Sequence, residues 1–284
     1  MLGTDYIQDC LSRRVIFFTG KGGVGKSSLA WATALACQQR GKRVLVVSWS
    51  TFDQAARPFT AQFSGIASET LETLACFREY ALLILKFEKI YDTVFDNFVL
   101  NAFIQAAPGV SETVIGGKLW YLAEKANYDL ILVDLPSSGH TLSFFQSPLG
   151  VKKVFTVGFV SKETEKILGM FRSPQTRVDF VALPEELPMV ECLQLKNKLE
   201  SLHALNMGYL HINQLTPQFE FAANKPLPPN LEQTVAQYRA RVEKETAALA
   251  LLPEFKLTPK FVPRLAAPDA ASVIRAVAKL MGEK

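Results

Sequence analysis

The sequence predicts an α/β fold, a doubly wound and mainly parallel sheet with a phosphate-binding loop after its first strand and an inserted helical subdomain. Three observations carry that prediction. Residues 14–28 read Arg-Val-Ile-Phe-Phe-Thr-Gly-Lys-Gly-Gly-Val-Gly-Lys-Ser-Ser, in which Gly20, Gly25, Lys26 and Ser27 satisfy G-x-x-x-x-G-K-[ST], a pattern that requires a strand before it and a helix after it. Short runs that are apolar on both faces alternate with helical stretches, as in parallel strands covered on both sides. One such run closes on an acid, Asp134, where phosphate chemistry needs a partner for a metal ion.

The elements follow in order. Val15 to Phe18 is the first run, and Ser27 to Gln39 reads as the helix leading out of the loop. Gly41 ends that helix, and Arg43 to Ser48 forms the second run. Asp129 to Asp134, Arg177 to Leu183 and Tyr209 to Asn213 are further runs, and residues 265–284 supply a closing amphipathic helix. Helices between parallel strands imply right-handed crossovers and a ligand at the carboxyl ends of the strands. Lys26 and Asp134 both fall there. No linker-like stretch interrupts the 284 residues, so one domain over 1–284 is expected, with the helical insertion over about 62–125.

Composition narrows the class. The balance of 31 Lys+Arg against 27 Asp+Glu is mildly basic without a dense basic run, so neither nucleic acid nor an anionic membrane surface is indicated. Cys10, Cys37, Cys76 and Cys192 lack C-x-x-C spacing and read as reduced, mostly buried thiols. No signal-like N-terminal segment and no run of ~20 apolar residues is present. A cytoplasmic protein whose membrane contact is at most indirect is expected.

The residue types of the loop follow from its chemistry. Gly22, Gly23 and Gly25 tolerate positive φ and bring bare backbone N–H groups against phosphate oxygens, and the next helix points its positive end at the same anion. The whole stretch from Gly20 to Ser28, Val24 included, is thus expected to hold the nucleotide. Lys26 reaches the β/γ-phosphates, and the Ser27 hydroxyl ligates Mg²⁺ with Asp134 behind it through water. Lys21 has no task in that scheme, and its position suggests a charge aimed across an interface at a partner's phosphates. Gly139 lets the backbone approach the γ-phosphate, and His140 either senses the nucleotide or caps the loop.

These residues carry a resemblance. Gly-Lys-Gly-Gly-Val-Gly-Lys-Ser-Ser resembles the deviant Walker A motif of P-loop NTPases, shared by nitrogenase iron protein, the division-site and partition ATPases, and the arsenical-pump and tail-anchored-protein-targeting ATPases. Asp134-Leu-Pro-Ser-Ser-Gly-His-Thr-Leu142 resembles switch II of the last group, D-x-x-P-T-G-H-T-L. Ala107-Pro-Gly-Val-Ser-Glu112, Ser173-Pro-Gln-Thr176, Val181-Ala-Leu-Pro-Glu-Glu-Leu187, Glu191 and His211-Ile-Asn-Gln214 match further motifs of that group in order. The resemblance implies an ATPase, with ATP and Mg²⁺ as cofactors, acting as a homodimer or as a heterodimer with a second family member around a hydrophobic protein client. It also implies that Lys21 contacts the opposite subunit's nucleotide. Asn213 would read the adenine through its paired amide donor and acceptor, enclosed by the strand and loop that contain Pro263.

One departure bears on activity. After the second strand the family reads S-T-D-P-A-H, with the aspartate orienting the attacking water; here Ser48-Trp-Ser-Thr-Phe-Asp53 places Ser50 at that position. Asp53, three residues on, serves as the catalytic acid only if the loop takes another path. A hydroxyl holds a nucleophilic water less well than a carboxylate, and losing such a group lowers rates by about a hundredfold or more. A weakly hydrolysing, nucleotide-gated scaffold or regulatory subunit is therefore the alternative to an active ATPase. Residues 69–106 hold a dense set of Leu, Ile, Val and Phe, which are apolar around much of a helix and read either as core or as the lining of a client groove. A metalloid-pump motor would need converging thiolates, and the cysteine spacing does not supply them.

Overall fold

The computed structural model describes residues 3–49, 59–85, 109–202, 205–219 and 229–282. The sheet has seven strands: β1 (Val15–Thr19), β2 (Val44–Trp49), β3 (Ala67–Leu71), β4 (Leu130–Asp134), β5 (Thr176–Ala182), β6 (Met207–Leu215) and β7 (Thr258–Pro263). All pairings are parallel, in the order β3-β2-β4-β1-β5-β6-β7. The helices are α1 (Thr4–Cys10), α2 (Lys26–Gln38), α3 (Thr73–Leu85), α4 (Val110–Lys125), α5 (Ser138–Val154), α6 (Gly158–Arg172), α7 (Glu186–Glu200), α8 (Pro229–Leu249), α9 (Leu252–Phe255) and α10 (Ala270–Leu280).

The period of two in β1 explains why both faces are apolar. Val15 and Phe17 join the core beneath α3–α7, while Ile16 and Phe18 join a second core beneath α1, α2 and α10. Phe17 meets Phe144 and Phe145 of α5 and Phe171 of α6 at ring-centroid distances of 5.8, 5.2 and 5.9 Å, the last two in the edge-on geometry that aromatic quadrupoles favour. The central strand is thus clamped from both sides.

Strand order positions the site. The chain leaves β1 for β2 on one side and later returns to β5 on the other, so the loops after β1, β4 and β5 diverge over one crevice at the carboxyl edge, where open α/β sheets bind ligands. The register puts Phe18 opposite both Asp134 and Asp179, so the ends of β1 and β4 lie side by side.

Among the elements that the sequence reading does not single out are β3 and α1. β3, Ala-Ser-Glu-Thr-Leu, has no continuous apolar run because it is an edge strand, half exposed, that pairs only with β2. α1 is seven residues long, and its place depends on partners far along the chain. Within 62–125 the described residues form the last residue of a 3₁₀ turn at Gln62, then β3, α3 and α4, with α3 packed on α4. The apolar stretch of 86–106 lies outside the described residues. Among the described residues the exposed large apolar side chains gather instead at the α5–α6 junction: Val154, Phe155, Val157, Phe159 and Val160, with Val157 83 % exposed. No described helix is long and apolar enough to cross a membrane.

Candidate nucleotide site

The loop of residues 20–25 joins β1 to α2, and two of its glycines, Gly20 and Gly25, are required by contact. Gly20 lies so close to β5 that a Cβ would sit 2.2 Å from the Val181 carbonyl oxygen. Gly25 has φ of 95° and closes the loop as the residue before α2. A Cβ there would sit 2.1 Å from Asn213 Nδ2. Nothing lies within 4 Å of where a Cβ would stand on Gly22 or Gly23, both exposed, so their backbone faces open space. Gly25 brings no side chain to cap α2, which leaves the first-turn N–H groups free for an anion.

Lys26, 9 % exposed, donates to the carbonyl oxygens of Gly20 (3.2 Å) and Lys21 (3.0 Å). It therefore folds back over the loop into the space a phosphate would fill. Burial lowers its pKa, and the nearby Asp134 charge partly offsets that, so an arriving anion finds an under-compensated ammonium. Ser27 Oγ donates to Asp134 Oδ2 at 2.5 Å. Asp134 Oδ1 is buried without a hydrogen-bond partner. Burial raises the Asp134 pKa, opposed by the Ser27 hydrogen bond and the Lys26 charge. A hydroxyl and a carboxylate with an idle buried oxygen, beside a phosphate cradle, form an oxygen-donor set suited to Mg²⁺.

On the other side of Gly25 a cavity of about 270 Å³ is lined by Ser28, Asn213, Pro263 and Leu265, among others. It opens directly from the first turn of α2, as a base attached to loop-bound phosphates demands. Asn213 is in place, but its amide is engaged: Nδ2 donates to the Val24 carbonyl at 2.8 Å, and Oδ1 accepts from the Gln214 N–H at 3.0 Å. Reading a base through both amide groups therefore requires the amide to turn. Gln214, with φ of 59°, marks the bend that makes this geometry.

The remaining sequence expectations separate. Gly139 lies in the first turn of α5 with open space around it, and His140 is exposed beside it. Lys21 leaves the cradle and pairs with Glu191 of α7 at 2.9 Å, a partner that the local motif does not reveal. Ser50 and Asp53 lie outside the described residues. Sequence reading also missed Thr141, whose buried hydroxyl accepts from Thr19 at 2.9 Å; its position in the switch II motif was the available signal. Gly25→Ala is expected to weaken nucleotide binding at least about tenfold and to lower stability by roughly 1–3 kcal/mol, since it strains φ and displaces Asn213. Titration with a fluorescent ATP analogue and a thermal melt check both effects.

Comparison with known proteins agrees with this geometry. The family model described as anion-transporting ATPase matches residues 13–77 and 78–206. The chain belongs to that family. The chain is similar to the ATPase BagA of Mycobacterium tuberculosis, 26 % identical over 224 residues, which covers 72 % of this chain and 66 % of that protein. An arsenical pump-driving ATPase of Escherichia coli is 28 % identical over 270 residues, covering 84 % of this chain and 44 % of its own length. The chain thus spans less than two thirds of either relative. The family assignment and the seven-stranded parallel sheet agree on an α/β P-loop ATPase architecture.

Proposed function

We propose that the protein is a Mg²⁺-dependent ATPase that works as a dimer and couples its nucleotide state to opening and closing around a hydrophobic protein client. The observation that carries this reading is the Ser27–Asp134 contact of 2.5 Å next to Lys26, with Asp134 Oδ1 idle. Ser27 would ligate Mg²⁺ directly and Asp134 through water, and the ion would supply charge neutralisation at the β- and γ-phosphates. Lys26 turns from the loop carbonyls to the phosphates, where its charge counters what develops in the transition state. Asn213 and Pro263 flank the adenine.

Lys21 supports the dimer. Its pair with Glu191 is part-exposed, 39 % and 33 % for the two side chains, and such a pair is easily exchanged. On closure, Lys21 would leave Glu191 for the partner subunit's nucleotide. Exposed Val154, Phe155 and Val157 favour an apolar client, whereas Cys76 and Cys192 favour no metalloid, since burial pushes both up to about 12 and soft ions need thiolates; the hydrogen bond with Cys10 lowers only Cys37.

Ser50 at the switch I position favours a second reading, a nucleotide-gated scaffold or regulatory subunit paired with a second family member. One experiment separates the two. Mg·ATP turnover of the wild type is measured beside Lys26→Ala and Ser50→Asp, with light scattering for oligomeric state with and without ATP. The ATPase reading expects ordinary turnover that Lys26→Ala lowers by about a hundredfold or more. Tight binding without turnover, restored by Ser50→Asp, would establish the scaffold, and absence of ATP binding would overturn both.

A further inference from the structure

Thr19 is the last residue of β1, immediately before the loop, and Thr141 lies in the first turn of α5. Both are fully buried. Thr19 Oγ1 donates to Thr141 Oγ1 at 2.9 Å, and Thr141 Oγ1 in turn donates to the Pro136 carbonyl at 3.1 Å. The relay has a fixed direction, because Thr141 spends its single proton on Pro136 and has only lone pairs left for Thr19. A further bond, Leu135 N–H to the Phe18 carbonyl at 3.1 Å, hangs the start of the same segment on β1.

The residues between these anchors are held differently. Ser137, Gly139 and His140 are exposed, and Gly139 has no neighbour within 4 Å of a would-be Cβ. Beyond Thr141, Phe144 and Phe145 pack on Phe17 of β1. The segment is therefore an arch over 136–140 with fixed feet at Leu135 and Thr141, its second half being the first turn of α5, where the His140 N–H bonds to the Ser137 carbonyl at 3.0 Å. Behind the second foot α5 runs past α4 and α6 to the exposed apolar residues Val154 and Phe155.

We propose that the Thr19–Thr141 hydroxyl pair is the pivot that couples the phosphate loop to α5, and that Thr141 is a positioning residue for the hydrolytic step rather than a nucleotide ligand. With the second foot bonded to the strand that bears the loop, any change of the arch at the γ-phosphate acts on α5 as a lever about Thr141. With the bond removed, α5 keeps its aromatic anchors but loses the polar link to the loop, and buried hydroxyls left without partners make the uncoupled arrangement locally unstable. The inference rests on the reading of the crevice as an ATP site.

Thr141→Val, Thr141→Ser, Thr19→Val and the Thr19→Val/Thr141→Val pair test it. Thermal melts first identify which variants are folded. Thr141→Val is expected to lower kcat about tenfold with the ATP KM within about twofold of wild type, and Thr141→Ser, which keeps the hydroxyl, to restore kcat. The double variant should lose little more than Thr141→Val alone, the signature of one shared interaction. Hydrogen exchange gives a readout independent of turnover. Mg·ATP should slow exchange over residues 138–154 in the wild type and in Thr141→Ser, and should not do so in Thr141→Val or Thr19→Val at saturating nucleotide. Equal protection in the wild type and both valine variants would overturn the pivot while leaving the ATP site intact. A rise in KM at constant kcat would make Thr141 a binding residue and also overturn it. Failure of the wild type to bind ATP would sink the ATP-site reading and the pivot together.

Discussion

Asp134→Asn is expected to cut Mg·ATP turnover by about a hundredfold or more while raising the stability of the nucleotide-free protein. The two effects have one cause. Asp134 sits at the end of a buried strand with Oδ1 unpaired, and burial raises its pKa. Its ionised form is disfavoured by the fold, so the charge weakens the protein in full above the raised folded-state pKa, and the penalty shrinks as pH falls from there and is gone below the unfolded carboxylate value. An amide removes the charge together with the oxygen proposed to face Mg²⁺. A gain of about 1 kcal/mol is expected from relieving one under-satisfied buried group. Thermal melts without Mg²⁺ and nucleotide, run beside steady-state turnover, measure both. A destabilised variant would show that the carboxylate is compensated in the fold, and unchanged turnover would remove Asp134 from metal handling.

Asp179→Ala is expected to destabilise the protein by roughly 3–5 kcal/mol, the cost of removing the fully buried half of an ion pair and leaving Arg177 with only the part-exposed Asp9 as counter-charge. Arg177 and Asp179, 2 % and 0 % exposed, stand two residues apart on β5 and share bonds of 2.9 and 3.1 Å. Arg177 also donates to Asp9 and to Cys10 Sγ, while Tyr6 donates to Asp179 at 3.0 Å and His211 Nε2 lies 3.3 Å away. Rings of Tyr6 and Tyr209 cover the guanidinium at 5.1 and 4.8 Å. Burial by itself raises Asp179, but Arg177 and His211 outweigh it and hold the pKa at about 2. A depressed folded-state value stabilises above the unfolded carboxylate range near pH ~4 and is lost as pH falls through about 2. The wild-type melting temperature should therefore fall between those limits, and the Asp179→Ala curve should be flatter there. An Arg177→Met/Asp179→Leu pair, free of buried charge, should recover much of the loss. A single-variant loss below about 1 kcal/mol would mean that the network is not the strut we describe.

These two carboxylates mark the boundary of what a linear reading reaches. Asp134 was legible because local chemistry announces it: an acid after a continuous apolar run, in a chain that already carries Gly25, Lys26 and Ser27 in fixed spacing. The loop glycines, the strands they join and the α/β class followed in the same way, since parallel strands buried on both faces must be apolar throughout. Asp179 reads as part of an apolar strand in the sequence, because its partners Tyr6 and His211, and the Asp9 that shares Arg177 with it, are brought there only by α1 and β6. β3 was silent for a related reason, as half an edge strand faces solvent and needs no apolar pattern.

By itself the sequence determined the glycine-rich loop, the acid that closes β4, the parallel sheet and the family. Those depend on residue types at short fixed spacings, which backbone geometry converts into structure locally. Only the tertiary structure decided that Lys21 rests on Glu191, that Asn213 ties β6 to the loop, that Thr19 meets Thr141, and that, among the described residues, five of the exposed large apolar side chains sit at the α5–α6 junction. Each of these joins residues that lie more than a hundred positions apart or depends on what the rest of the chain leaves uncovered, and no local pattern encodes either.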